Sequence, residues 1–384
     1  MEQNKIETDK KTLTIFTPTY NRAYTLHLGY EALSRQTCKD FIWLIVDDGS
    51  TDDTLEWVEK WIAERKIDIR YHYQENQGMH AAHNTAYRLI DTELNTCVDS
   101  DDYMPDDAVE KIITFWNAHG SKEVAGIIGL DADFQGNLIG TPFPYECRRT
   151  TLGGFYAQGG RGDKKLVYRT DVIKQYPEYP IFEGEKYVSL GYKYQLIDQD
   201  YPLLALNEVL VNVEYRPDGS SLNMYRQYIR NPRGFAFIRK SSMQLAPTSQ
   251  RRFIEAMHYV ADSLLARNPH FLSESPRKWL TLSALLPGIT WYGYMGRRRV
   301  VRCCSGLWSA LAAMVPAGCV PVPVVGLICW RCRWAWSALA LFQAQRFQRH
   351  GWRWRCSIRV NFAVCRRGQI LHLTGVRSRC RALT

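Results

Sequence analysis

Hydrophobic and polar positions along residues 11–135 form short apolar runs that alternate with longer stretches of helical spacing. The run from Phe41 to Val46, apolar at every position, is typical of a strand covered by helices on both faces. Apolar residues three or four apart between Tyr24 and Gln36 indicate a helix packed on one side. This alternation predicts an α/β fold whose mostly parallel sheet is flanked by helices.

The same pattern places the individual elements. Strands are predicted at 13–17, 41–46, 67–73, 95–98 and 124–130, and helices at about 24–36, at 79–90, and onward from about 50 and 105. Leu55, Val58 and Ile62 are expected to form the inner face of the second helix. Residues 136–230 are irregular and predict a loop-rich half that completes a pocket, whereas residues 246–295 are helical again.

Polar side chains collect where three predicted strands end. These segments are Thr17 to Arg22, Asp47 to Ser50 and Asp99 to Asp102. In a doubly wound sheet the carboxyl ends of the parallel strands share one edge, and ligands bind there. We therefore expect three segments far apart in sequence to line one cleft.

Each acidic segment has two interpretations. Asp99, Asp101 and Asp102 supply the hard oxygen ligands that Mg²⁺ or Mn²⁺ prefers, or they form an acidic first turn for the helix after Pro105. Asp47 and Asp48 could accept hydrogen bonds from a nucleobase or a ribose, or could simply shape a turn. Tyr20 could stack on a base or pack against its neighbours. Their joint occurrence at three strand ends favours a nucleotide and metal site.

At this point the chain resembles glycosyltransferase family 2, the inverting nucleotide-sugar transferases of the GT-A fold. The resemblance covers about residues 11–235 and is carried, in order, by the segments TIFTPTYNRAYTL, LIVDDGSTDDT, ENQGMHAAHNTA, CVDSDDYMPDDAV, GDKKLVYRTDVIKQYP, FEGEKYVS and YRPDGSSLNMYRQYIRNPRG. It implies a GT-A (Rossmann-like) sheet. A helical C-terminal appendage follows from the pattern of residues 246–295.

The resemblance also implies roles for residues of the donor site. Those expected to line the nucleotide are Pro18, Tyr20, Arg22, Asp47 and Asp48. Asp99 and Asp101 would form the DxD element that holds Mg²⁺ or Mn²⁺, with Asp101 as the direct ligand and Asp99 nearer the ribose.

One motif of the family lies beside the donor diphosphate and commonly reads G-K-H-x-A-x-N. It places His80 and Asn84 there, although Met79 stands where the family has lysine. His83 is expected to face solvent.

An inverting transfer needs a base that takes the proton of the acceptor hydroxyl. The family places an acid after the Gly-Asp-Lys segment, and Glu185 is expected to be this base, with Glu183 as the alternative. Asp163 is a candidate on the acceptor side, or it braces a loop.

The implied activity is transfer of a sugar from a nucleotide diphosphate donor, a UDP-sugar, to a hydroxyl of a glycan or lipid-linked acceptor. A non-catalytic nucleotide-sugar-binding scaffold of the same fold is the alternative. A phosphoryl or nucleotidyl transferase is disfavoured, because the sequence has no GxxxxGK[ST] loop.

Charge divides the chain sharply. From Trp279 onward there are 16 Arg but no Lys, Asp or Glu, which gives this segment a charge of +16 against −6 for residues 1–278. Residues 303–330 carry no charge, but Pro316, Pro321 and Pro323 disfavour one continuous helix. A segment translated out of frame and a membrane-associated segment are both open interpretations of residues 299–384. A nucleic-acid-binding tail is disfavoured, since no recognisable module is present.

These patterns predict three parts. Residues 1–235 would form the transferase domain, with a nucleotide-sugar half at about 11–135 and an acceptor half at about 136–235. Residues 236–298 would form a helical extension, and residues 299–384 the anomalous segment. The polar residues that follow Met1 give no secretory signal, so we expect a cytoplasmic protein with peripheral contact to the inner face of the membrane through its C-terminal region, and no nucleic-acid partner.

Overall fold

A computed structural model describes residues 11–214, 216, 223–294, 354–362 and 373–382. The chain divides into two compact units, Met1–Gly306 and Leu307–Thr384. In the described part of the first unit the elements run β1 (Leu13–Thr19), α1 (Ala23–Arg35), β2 (Phe41–Asp47), α2 (Thr54–Glu64), β3 (Asp68–Tyr73), α3 (Met79–Leu89), β4 (Leu94–Cys97), α4 (Ala108–His119), β5 (Gly126–Asp133), β6 (Arg149–Thr150), α5 (Leu152–Ala157), β7 (Lys164–Arg169), α6 (Thr170–Ile173), α7 (Gly191–Asp200), β8 (Leu203–Val213), α8 (Met224–Arg230), α9 (Pro232–Leu245), α10 (Ser249–Leu265), α11 (Phe271–Glu274) and α12 (Lys278–Ser283).

The second unit contributes two described strands, β9 (Trp354–Phe362) and β10 (Leu373–Ala382), which pair antiparallel. Most of the segment 299–384, and residues 215 and 217–222 of the last family-like motif, lie outside the described residues. The two interpretations of residues 299–384, an out-of-frame segment and a membrane-associated segment, therefore concern residues that lie mostly outside the described part of the chain. Within the described residues, none of the helices combines the length and the apolar character needed to cross a bilayer.

One eight-stranded sheet, in the order β3-β2-β1-β4-β7-β5-β8-β6, organises the first unit. β1 to β4 run parallel, and β5 pairs parallel with β8, whereas β7 runs antiparallel to both β4 and β5 and β6 runs antiparallel to β8. The predicted α/β fold with its mostly parallel sheet and helical appendage is confirmed, and the observed sheet is mixed because β7 enters between two parallel blocks.

Side chains that alternate along the central strands build a separate core on each face of this sheet. Ile15 and Trp43 point to one face and pack with residues of α1, α2 and α4. Phe16 and Leu44 point to the other and pack with residues of α3, α6 and α7. Helices on both faces explain why these strands are continuously apolar.

The inner face of α2 differs from the prediction. Val58 is buried, but Leu55 and Ile62 are 46% and 43% exposed. Trp61 takes the inner position instead, because its ring stacks on Tyr30 with ring centroids 4.6 Å apart. A tryptophan offers far more area to bury than leucine or isoleucine, so it decides how the helix rotates.

The C-terminal helices α9 to α12 have a small core of their own that includes Met243 and Tyr259. Beside it, the Arg239 guanidinium lies 2.9 Å from the carboxylate of Glu255 and 3.7 Å from that of Asp262. Both carboxylates belong to side chains that are only 1% exposed. Burial raises the pKa of Asp262 to about 7. Arg239 therefore lies close to both buried acids, and Arg251 also pairs with Glu255 at 2.9 Å.

Candidate donor and acceptor site

Backbone and side-chain hydrogen bonds join the turn after β1 to the turn after β2. The Asp48 N–H donates to the Thr19 carbonyl at 2.8 Å. The Asn21 N–H donates to the Ser50 hydroxyl at 2.9 Å, and the Asn21 side-chain oxygen accepts from the Thr51 N–H at 2.8 Å. Two of the three predicted polar segments thus form one connected edge.

Three residues of the first segment lie along this edge. Pro18 is in β1, opposite Val46 of β2. The Tyr20 ring is 49% exposed, which leaves a face on which a base can stack. The Arg22 guanidinium donates to the Tyr24 hydroxyl and lies 5.6 Å from the centre of its ring. The charge of Arg22 also favours the ionised form of Asp101, which links this segment to the end of β4.

The two carboxylates at the end of β2 are both enclosed by protein. Asp47 accepts from the Ser50 N–H and from the Tyr71 hydroxyl, each at 2.7 Å, so it fixes the turn. Asp48 accepts from the Gln74 side chain at 2.7 Å and from the N–H groups of Gln77 and Gly78 at 2.9 and 2.7 Å. Asp48 therefore anchors the loop of residues 74–78 that precedes α3.

Gly78 ends that loop in a conformation and a space that only glycine fits. Its φ is +96°, which side chains rarely adopt, and a Cβ there would lie 2.1 Å from the Lys186 carbonyl oxygen. The Lys186 ammonium in turn donates to the Asn76 carbonyl. The loop that Asp48 holds is thus packed against the Glu185-Lys186 segment, more than 100 residues away in sequence.

We expect Asp48→Asn to lower the free energy of unfolding by about 1–3 kcal/mol, because an amide cannot accept all three of these bonds and leaves a buried N–H unsatisfied. Urea unfolding measures this change. Asp53→Asn is the matched control, since Asp53 is exposed at the start of α2 and its side chain makes no cap bond there. Equal stability of the two variants would contradict the anchoring role.

The third polar segment brings carboxylates close together beyond β4. Burial, together with the negative charge of Asp99, raises the pKa of Asp101 and raises that of Asp102 to about 8. Asp102 is 7% exposed, and its carboxylate accepts from the Glu214 N–H at 3.3 Å. Asp99 is exposed, and Asp101 is partly exposed.

Asp99 and Asp101 are a pair of acids that fits a divalent cation. Two carboxylates that repel one another are a donor set that positive charge stabilises, and Mg²⁺ usually takes one or two carboxylates plus phosphate oxygens. No group of three His, Cys, Asp or Glu side chains able to hold an ion occurs among the described residues.

The motif that begins α3 is buried rather than exposed. Both ring nitrogens of His80 lack a hydrogen-bond partner among the described residues, although the residue is only 1% exposed. Burial and the nearby Lys186 charge lower the pKa of His80 to about 4. Asn84 is occupied, because its amide donates to the Tyr179 carbonyl at 2.8 Å and accepts from the Tyr179 N–H at 2.9 Å.

The expectation that His83 faces solvent is wrong. His83 is fully buried, with Nδ1 3.3 Å from the Tyr87 hydroxyl and Nε2 3.6 Å from the Cys97 sulfur. Burial lowers the pKa of His83 to about 3. The cause is that α3 packs against the sheet on one side and against Tyr179 on another, so that it presents hardly any face to solvent.

The three candidate bases occupy different environments. Glu185 is 7% exposed and accepts from the Arg233 N–H at 3.0 Å, from Arg233 Nε at 3.1 Å and from the Gly234 N–H at 2.9 Å, so it holds the start of α9. Glu183 is exposed, and its carbonyl accepts from Arg233. Asp163 is exposed just before β7, and its charge raises the pKa of the neighbouring Tyr156 further above the value that burial alone would give. The identity of the base stays a prediction.

Sequence reasoning missed two residues near these acids. Asp131 in β5 is 4% exposed, its Oδ1 has no hydrogen-bond partner among the described residues, and burial raises its pKa to about 6. Lys165 donates to the Cys97 carbonyl at 2.6 Å, and its charge favours the ionised forms of Asp102 and Asp131. Lys165 could have been identified, because it stands in the family-like segment GDKK. Asp131 could not, because it lies within β5 and belongs to none of the family-like segments.

Part of the chain is similar to a known protein family. The model of glycosyl transferase family 2 matches residues 14–147, which include both acidic strand ends and the start of α3. The chondroitin synthase of Escherichia coli is 34% identical over 127 residues, which are 33% of this chain and 18% of that protein. Glycosyltransferase GlyA of Streptococcus pneumoniae is 36% identical over 100 residues, 26% of this chain and 14% of that protein. The match thus spans less than a fifth of either relative.

Two solved structures are also similar to this chain. S. aureus TarS 1–349 in complex with UDP-GlcNAc is 19% identical, with 72% of this chain and 80% of that chain covered and a TM-score of 0.48. The mannosyltransferase PcManGT from Pyrobaculum calidifontis, in complex with GDP-Man and Mn²⁺, is 16% identical, with 88% and 81% covered and a TM-score of 0.45. The family match places a glycosyl transferase family 2 domain in residues 14–147 of this chain.

Proposed function

We propose that the protein is an inverting glycosyltransferase that moves a sugar from a UDP-sugar to a hydroxyl of a glycan or lipid-linked acceptor. The observation that carries this proposal is the meeting of Arg22, Asp99 and Asp101 at the sheet edge where Asp48 anchors the loop before α3. Similarity to chondroitin synthase of Escherichia coli supports a glycan acceptor.

The nucleoside would bind at the joined turns of β1 and β2. The exposed Tyr20 ring supplies a stacking face for the base, and Pro18 lies beside it in the same strand. Asp47 and Asp48 still have acceptor capacity for a ribose or uracil donor, since an ionised carboxylate has about four lone-pair positions. Their larger contribution is to hold the surrounding turn and loop in place.

The diphosphate would lie between the acidic pair and the start of α3. When bound, Mg²⁺ or Mn²⁺ held by Asp99 and Asp101 offsets the charge that develops on the leaving diphosphate. The neutral His80 ring can donate an N–H to a phosphate oxygen. Lys186 lies near His80 and supplies the cation that Met79 does not, because the loop of residues 74–78 packs against it.

Proton removal from the acceptor hydroxyl would fall to one of the three carboxylates. The bonds on Glu185 favour the other two candidates, Glu183 and Asp163, because the three donors to the Glu185 carboxylate would have to be released first. Asp163 is exposed, and its charge acts on Asp131 and Tyr156 in the acceptor half. Glu183 is the third candidate.

Release of UDP from a panel of UDP-sugars, with Mn²⁺ and a pool of glycan acceptors, tests the proposal. We expect turnover with one sugar and loss of it when the metal is removed with EDTA. Calorimetry runs in parallel with the same panel. Binding of UDP without turnover on any acceptor would support a nucleotide-sugar-binding scaffold instead, and turnover that survives EDTA would contradict the role of the metal.

We also propose that the protein is cytoplasmic and contacts the inner face of the cell membrane as a peripheral protein. The supporting observation is a run of exposed apolar side chains between residues 279 and 292, a stretch that contains no charged residue.

A further inference from the structure

An apolar surface without charge lies at the C-terminal end of the helical extension. Its members are exposed by 43–83% and lie three or four residues apart: Trp279, Leu282, Leu286 and Ile289. We call these four residues the apolar face. Ordinary surface helices present polar groups to water, so four large apolar side chains exposed within residues 279–289 indicate an interaction surface.

A cationic cavity of about 600 Å³ adjoins the apolar face and shares Trp279 with it. Arg252, Arg277 and Lys278 line it together with Ser249 and Ser275. Arg252 Nε donates to the Ala246 carbonyl at 2.7 Å, and Arg277 Nε donates to the Met243 carbonyl at 3.0 Å. These bonds fix both guanidinium groups at the end of α9.

The three cations keep most of their binding capacity. A guanidinium has five N–H donors, and one of them is used in each of these bonds. Within the described part of the chain, no carboxylate forms an ion pair with Arg252, Arg277 or Lys278. A concave site with this charge and these donors suits a phosphate group.

We infer that the cavity receives the phosphate of an anionic lipid headgroup while the apolar face enters the outer part of the same bilayer. The adjacency of the two surfaces favours a membrane over a soluble anion, since a soluble anion would leave the apolar face in water. Trp279 belongs to both the cavity and the apolar face. Tryptophan is enriched at the interface between membrane and water, so this position suits it. Stable peripheral binding also takes two signals, apolar insertion and cationic attraction, and both are present.

This inference depends on the proposed membrane contact but not on sugar transfer. The test is flotation of the full-length protein with vesicles of phosphatidylglycerol and phosphatidylcholine, compared with vesicles of phosphatidylcholine alone. We expect at least about ten-fold stronger binding to the anionic vesicles, from two or more cations at the surface. Lys278→Gln is expected to weaken this binding about five-fold.

Leu286→Glu tests the apolar face, because Leu286 is 78% exposed and its loss should leave the fold intact. It is expected to abolish flotation. The matched control is Leu55→Glu, at a position 46% exposed on α2, which should float like the unaltered protein. Equal loss in both variants would overturn the inference.

Two further outcomes identify other occupants. Binding of inorganic phosphate in calorimetry, without flotation on either vesicle, would make the cavity a site for a soluble anion and overturn the inference. Dissociation of a dimer by Leu286→Glu in light scattering, again without flotation, would show that a second copy covers the face. UDP release in the absence of vesicles is measured separately, so a failed transferase assay leaves the flotation result interpretable.

Discussion

Asp101→Asn is expected to lower kcat for sugar transfer by at least about 10²-fold, the size of effect seen when charge stabilisation of a transition state is lost. The substitution keeps the size of the side chain but removes one of the two charges that would hold the cation. The measurement is UDP release with saturating donor and Mn²⁺. If the enzyme depends on the metal, the Asp101→Asn variant should also need a higher Mn²⁺ concentration than the unaltered protein to reach half of its maximal rate.

The same substitution should not lower stability. Asp99 disfavours the ionised form of Asp101, so removing one charge relieves repulsion in the unliganded protein. Asp106→Asn serves as the control, because Asp106 pairs with Arg35 at 3.1 Å on the surface and should affect kcat less than two-fold. Full activity of Asp101→Asn would refute the proposed metal site, whereas loss of activity together with loss of folding would point to a structural role.

The elements that the sequence predicted are those whose signal is local. β2 contains an apolar run, β3 alternates polar and apolar residues, and α1 follows from spacing within 13 residues. The error at α2 came from choosing Leu55 and Ile62 for the inner face, when the outcome depended on the stack of Trp61 on Tyr30 of another helix. The antiparallel entry of β7 between β4 and β5 depends on pairings with distant residues, which no local pattern encodes.

In the candidate site, the positions of the residues could be predicted from the sequence but their hydrogen-bond partners could not. Residue types at strand ends indicated where Tyr20, Asp48 and Asp101 would lie, because the carboxyl ends of parallel strands share an edge. Their partners could not be predicted. The Asp48 carboxylate binds a loop 26 to 30 residues away, and Glu185 binds the start of a helix 48 and 49 residues away. Such partners decide whether a carboxylate is available for chemistry or holds the fold.

Arg239→Met is expected to lower the free energy of unfolding by about 3–5 kcal/mol, the cost of leaving buried charge without a partner. Glu255 and Asp262 are each 1% exposed, and neither Asp262 oxygen has a hydrogen-bond partner among the described residues. Urea unfolding at pH 8 measures the change. Methionine fills a similar length, so a cavity contributes little to the expected loss.

The cost of Arg239→Met should depend on pH in a definite direction. The folded pKa of Asp262, about 7, lies above the usual value near 4, so this group favours folding at low pH and the benefit is lost as pH rises towards 7. The variant should therefore lose less stability at pH 5 than at pH 8.

Arg251→Met is the control for Arg239→Met. It also removes a partner of Glu255, at 2.9 Å, but Arg251 is 61% exposed, so a loss of about 1 kcal/mol or less is expected. Adding Asp262→Asn to Arg239→Met should recover part of the stability at pH 8, and no recovery would mean that Glu255 alone accounts for the loss.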